Sequence, residues 1–159
     1  MAFTQKYTII SPIERVVEGQ TFESINWPLH TTIADTFAVN SIDDDLILQI
    51  HSVVVGRNIN IKAMELSHFG KNADVEVMLL KTSPELYKLH SDVTDLLLSR
   101  GATFNDPQYT KSGFIGHVTQ QVTRRMGENE QVSLNSVALI DMFPGEDPNK
   151  RRVVKVINF

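Results

Sequence analysis

The chain has 159 residues, with 15 Lys and Arg against 19 Asp and Glu, five His and no Cys, which leaves a formal charge of −4. At this length a single core buries about two thirds of the unfolded surface, so one domain over 1–159 holds together without disulfides or a structural metal. Thiolate catalysis, zinc ribbons, iron–sulfur clusters and disulfide scaffolds are excluded by the missing Cys, and a long polyanion, bound by neutralising many phosphates at once, is a poor match for an acidic chain.

Residues 1–6 turn polar before they could form the apolar core of a signal peptide, and no run of about 18 apolar residues occurs anywhere. The expectation is a cytoplasmic protein with no membrane contact and no obligate protein partner. A small phosphorylated ligand, or the end of an oligonucleotide, is compatible with the charge.

Along the chain, 6–10 reads as a strand, and Ser11-Pro12 with Ile13, Val16 and Val17 opens a short helix stopping at Gly19. Residues 28–39, rich in Thr and β-branched side chains, read as a second strand. Ser41 and Asp44 form a capping box for a helix whose apolar face is Ile42, Leu46, Ile50, Val53 and Val54, with Gly56 as its left-handed stop. Residues 58–66 and 74–81 alternate and make a hairpin. Ser83 and Pro84 then cap and start a second helix with a stripe of Leu86, Leu89, Val93, Leu96 and Leu97, ended by Gly101.

A loop over 102–112, carrying Asp106-Pro107, is a candidate lid ahead of a strand at 113–121. Strands at 131–142 and 152–157 follow, separated by a turn at 144–149. Strands come in neighbouring pairs, which predicts an α+β fold with largely antiparallel sheets rather than a regular βαβ repeat.

Two short segments repeat within this pattern. Leu29-His30-Thr31-Thr32-Ile33 and Gly116-His117-Val118-Thr119-Gln120 each carry a His with a Thr two places on, inside a predicted strand. Side chains alternate along a strand, so His30 and Thr32 share one face, as do His117 and Thr119, with roughly 6.6 Å of rise within each pair. Thr is also a common strand former, and the repeat acquires chemical meaning only where the two strands lie side by side. Side by side, the four polar groups converge, and two imidazoles with an ordinary pKa near 6.5 let one be neutral and the other charged around neutral pH.

This pairing resembles the signature of the 2H phosphoesterase superfamily, which includes bacterial 2′-5′ RNA ligase-like proteins and cyclic nucleotide phosphodiesterases, and the resemblance runs over nearly the whole chain. It implies two pseudo-symmetric lobes, each a mainly antiparallel sheet with outer helices, around a cleft. Carried over position by position, it implies His30 with Thr32 from one lobe and His117 with Thr119 from the other, with His117 the general base and His30 the general acid, an assignment that reverses with the direction of the reaction, and with the two Thr hydroxyls donating to the non-bridging oxygens of a phosphodiester as charge accumulates there. Apolar residues usually flank each His of the family, often with Pro before the second. Here Thr31 follows the first His, and Gly116 and Gln120 flank the second motif.

The function so implied is a phosphodiesterase of 2′,3′-cyclic or 2′-5′-linked nucleotides that needs no metal or other cofactor. Alternatives are a 2′-5′ RNA ligase, a phage-type enzyme degrading cyclic oligonucleotide signals, and a nucleotide-binding or RNA-end-binding module without turnover. Arg124, followed by Arg125, stands close enough to the second motif to reach a terminal phosphate, and Lys150, Arg151 and Arg152 make a second basic run. Tyr109, Phe114 and Trp27 stand near the motifs and could stack on a base, although core packing is the ordinary use of an aromatic ring. His90 falls on the apolar stripe of the second helix and reads as a packed residue. His51 and His68 complete no metal-binding spacing.

Overall fold

Residues 5–122 and 124–159 are described by a computed structural model. Its elements are β1 (Tyr7–Pro12), β2 (Thr21–Glu23), β3 (His30–Ala38), α1 (Asp44–Val54), β4 (Ile59–Phe69), β5 (Val75–Leu80), α2 (Pro84–Ser99), β6 (Thr103–Phe104), β7 (His117–Thr119), β8 (Gln131–Leu134), β9 (Ser136–Asp141) and β10 (Lys150–Asn158). Every described strand pairing is antiparallel, so the fold is α+β. The ladder runs β2-β10-β9-β1-β3-β7-β5-β4-β8, with β6 added to β3. Residues 1–4, part of the stretch read for a targeting signal, lie outside the described residues. No described helix is long and apolar enough to cross a membrane.

The stretch expected as one strand over 131–142 is divided at Asn135. Its first part pairs with β4 at one end of the ladder, and its second lies between β1 and β10 near the other end. One residue joins strands that the ladder holds far apart, so the sheet must curve back on itself. All six residues of β9 are buried because both of its faces are covered. Val137 and Leu139 join the large core under the helices, while Ala138 and Ile140 join a smaller one with Ile10, Val16 and Val153.

The second helix forms as its sequence predicts. Ser83 accepts from the Leu86 amide at 3.1 Å, Pro84 opens the first turn, and Gly101 follows the helix at φ 79°. Leu86, Leu89, His90, Val93, Thr94 and Leu97 are buried along it. The cap of α1 differs from the expected box: Asp43, not Ser41, accepts from the Leu46 amide at 2.8 Å. Arg100 clamps both oxygens of Asp43 at 2.9 and 3.0 Å and also pairs with Asp45 at 2.9 Å.

The short helix expected after Ser11 is absent. β1 continues to Pro12, and the amides of Ile13 and Glu14 both donate to the Leu29 carbonyl at 2.8 and 3.1 Å, outside any helical pattern. The candidate lid is also built differently. After β6 the chain makes two 3-10 turns, Pro107–Tyr109 and Lys111–Gly113. A Cβ on Gly113 would lie 1.8 Å from the Gln108 carbonyl oxygen, a contact that only glycine avoids. His90 accepts from the Lys111 amide at 2.9 Å, and the Lys111 ammonium pairs with Asp95 at 2.5 Å, which fastens the segment to α2. The strand expected over 113–121 therefore shrinks to the three residues of β7.

Candidate active site

β3 and β7 meet at a seam with one register pair, Thr31 opposite Val118, both fully buried. In an antiparallel pair this sets His30 opposite Thr119 and Thr32 opposite His117, all on the face away from Thr31 and Val118. The two His Cα atoms then lie on a diagonal of roughly 8 Å. Each His thus neighbours the Thr of the other segment as well as its own.

The two imidazoles are held in the same way. Nδ1 of His30 lies 2.7 Å from the Pro28 carbonyl, and Nδ1 of His117 lies 2.8 Å from the Ile115 carbonyl, in both cases two residues back. A carbonyl only accepts, so Nδ1 carries the hydrogen in both rings and Nε2 is the atom that titrates. No described residue hydrogen-bonds either Nε2, nor the hydroxyl of Thr32 or Thr119. An aromatic ring braces each imidazole. Trp27 packs on His30 at 5.0 Å between centroids, and Phe69 meets His117 edge-on at 4.8 Å and 68°.

Their electrostatic settings differ. Burial pushes His30 down to about 4, and the charge of His117 acts in the same direction, against the support of the Pro28 carbonyl. Burial also lowers His117, but the Ile115 carbonyl and the Asp35 carboxylate both oppose it. Of the two, His117 has the carboxylate neighbour and is the readier to hold a proton.

A cavity of about 300 Å³ opens beside His30 and Thr119, walled by Ser24, Ile25, Trp27, Gln120 and Gln121. Gln121 crosses the seam, accepting from the Trp27 amide at 3.1 Å and donating to the Thr119 carbonyl at 3.2 Å. Gln120 pairs with both backbone groups of Met126 at 2.7 and 2.8 Å, pinning the turn after β7. Of these two glutamines the sequence marked only Gln120, as a flank of the second motif, and Phe69 closes β4, whose strand was expected to end at 66 with Phe69 in the connection to the next.

The structure therefore brings together His30, Thr32, His117 and Thr119, with Trp27 beside them. It does not bring Arg124, Tyr109 or Phe114 into the cavity beside His30. Arg124 is engaged by Glu130 at 2.5 Å, Tyr109 is exposed on a 3-10 turn, and Phe114 stacks on His90 at 4.0 Å and 10°. The other basic residues singled out from the sequence are engaged as well: Arg125 pairs with Glu76, Lys150 with Glu23 and Arg152 with Asp141, while Arg151 lies over the Trp27 ring. Among the described residues, no three His, Asp or Glu are grouped as metal ligands.

No protein-family model and no curated protein matches the chain by sequence. Solved structures match it over almost its whole length. E. coli LigT complexed with 3′-AMP superposes with a TM-score of 0.62 at 12% identity, covering 98% of both chains. A crystal structure of a phosphoesterase gives 0.59 at 13% identity over 99% of both chains, and TT0787 of Thermus thermophilus gives 0.58 at 9% identity over 96% of this chain and 97% of that one. The chain shares the LigT fold.

Proposed function

We propose that this protein is a 2H phosphoesterase: a phosphodiesterase that needs no metal and acts on 2′,3′-cyclic or 2′-5′-linked nucleotides through two histidines. The observation that carries the proposal is the seam itself, where two His-x-Thr segments sit in register with both Nδ1 atoms tied to backbone carbonyls. The LigT fold supports it too. LigT has been crystallised with 3′-AMP, ATP, NADP+ and phosphate, ligands that all present phosphate oxygens.

His30 is the general base and His117 the general acid, the reverse of what the family resemblance implies. His30 is neutral in the free protein at ordinary pH, with a lone pair on Nε2. It removes the proton of the attacking water as the new P–O bond forms. His117, supported by Asp35, protonates the departing oxygen as the old P–O bond breaks. Thr32 and Thr119, whose hydroxyls have no described protein partner, donate to the non-bridging oxygens as negative charge grows there. Ligation, the reverse reaction on longer RNA, would draw on a broad basic groove, and Arg124, Arg125, Lys150 and Arg152 all answer carboxylates instead.

The test is a panel of 2′,3′-cyclic mononucleotides, 2′-5′ oligonucleotides and cyclic dinucleotides, incubated with and without EDTA. The expected result is turnover that survives EDTA and falls by about 10²–10⁴ in His30→Ala and in His117→Ala. Tight binding without products would make the protein a binding module, and loss of turnover on chelation would replace this mechanism with a metal-dependent one.

A further inference from the structure

A second cavity, of about 260 Å³, lies at the His117 end of the seam. It is walled by Met64, Leu79, Tyr87, Phe114 and Ile115, with Lys81 also lining it. Two links join it to the catalytic row. Leu79 is the register partner of His117, which sets their Cα atoms about 5 Å apart on a common face. Ile115, part of the cavity wall, supplies the carbonyl that holds His117 Nδ1. The cavity beside His30 and Thr119 lies at the other end of the same row. The line through the two imidazoles thus leads from one cavity to the other.

The second cavity has the chemistry of a base-binding slot. Met64, Tyr87 and Ile115, all in its wall, are 49%, 44% and 53% exposed, an apolar cluster left open to solvent. Phe114 stands behind them, held by its stack on His90, with Tyr87 tilted across it at 6.5 Å. The Tyr87 hydroxyl and the Lys81 ammonium have no described partners, leaving polar groups for the edge of a heterocycle or a ribose. Phe114, a stacking candidate by its place in the sequence, lines this cavity.

We infer that this cavity seats the leaving nucleoside of an internucleotide phosphodiester, with the phosphorus over the His-Thr row and the other nucleoside beside His30. The inference rests on the function proposed above and narrows it to substrates with a nucleoside on each side of the phosphate. Water bonds to phosphorus from the His30 side and gives its proton to His30 Nε2. The P–O bond to the nucleoside beside Leu79 and Tyr87 breaks, and its oxygen takes the proton from His117 Nε2. One nucleotide monoester and one nucleoside hydroxyl result, and solvent returns the proton from His30 to His117.

The experiment compares kcat/KM for 2′-5′-linked adenylyl-adenosine with that for 2′,3′-cyclic AMP, in the wild-type protein and in Tyr87→Ala and Met64→Trp. Both positions are half exposed, so both variants fold; the first removes a stacking surface and the second fills the slot. Wild type should favour the dinucleotide, and each variant should lower the ratio of dinucleotide to cyclic mononucleotide by about tenfold. An active wild type that prefers the cyclic mononucleotide, or variants that leave the ratio unchanged, overturns the second subsite while the two-histidine mechanism stands. A wild type inactive on both substrates overturns that mechanism and this inference with it.

Discussion

The Thr31 hydroxyl donates a 2.8 Å hydrogen bond to the carbonyl oxygen of His117, tying the two His-bearing strands together at the one place where they are in register. Thr31 is fully buried, on the face of β3 that turns away from the imidazoles. The residue following the first His, an unusual position for Thr by family resemblance, thus locks β7 to β3.

Thr31→Val keeps the shape and removes the donor. A buried hydrogen bond of this kind contributes about 1 kcal/mol, so the urea midpoint should drop modestly. Turnover should fall further than stability, because a shift of about 1 Å between the acid and the base costs up to 10²-fold in rate. Equal kcat in both proteins would mean that the backbone alone sets the register.

The pH profile of kcat/KM reports the free protein's essential groups. His30 has to be neutral to act as base, and at about 4 it loses activity only in strong acid. His117 has to be protonated to act as acid, and it is held below the ordinary 6.5. The expected profile is therefore a bell with its maximum on the acid side of pH 6.5, an acid limb near pH 4 and an alkaline limb that belongs to His117. Residual activity in His30→Ala should lack the acid limb, and that in His117→Ala the alkaline one. An alkaline limb that persists in His117→Ala would return the acid role to His30.

How far the sequence carries depends on whether a feature is local. The second helix declares itself through Ser83, Pro84 and Gly101, and each His-x-Thr pair declares its own shared face by alternation. That β3 and β7 are neighbours is a contact across 86 residues that no local pattern encodes. The break at Asn135 is hidden because only Asn135 and Ser136 part Leu134 from the apolar run of β9, with no Gly or Pro between them to signal a turn. Arg124 looked available in one dimension, yet Glu130, six residues on, engages it once the chain turns between them. Trp27 and Phe69 brace the imidazoles from segments far apart in the chain, and only the folded sheet makes them equivalent.

Acid should unfold this protein through its histidines before its carboxylates. Burial lowers His30, His90 and His117 alike, so between pH 6.5 and about 4 the unfolded chain holds protons that the native state does not. Stability then rises with pH across that window and is lost as pH falls through it. His90 shows the reason in its contacts: Nδ1 donates to the Ile33 carbonyl at 2.7 Å, and Nε2 accepts from the Lys111 amide at 2.9 Å, so a second proton would face an N–H with no acceptor. For His30, the interval from 6.5 to about 4 corresponds to roughly 3 kcal/mol. The lowered carboxyls of Asp43, Asp92 and Glu130 act in the same direction but only below their ordinary values of 3.8, 3.8 and 4.5. Urea midpoints should therefore fall between pH 7 and pH 4.5, and His30→Gln should flatten that fall by about one proton's worth of slope. Midpoints that stay level over the window in the wild-type protein would show that these rings are solvated and titrate normally, and the acid-side optimum of the reaction would be lost with them.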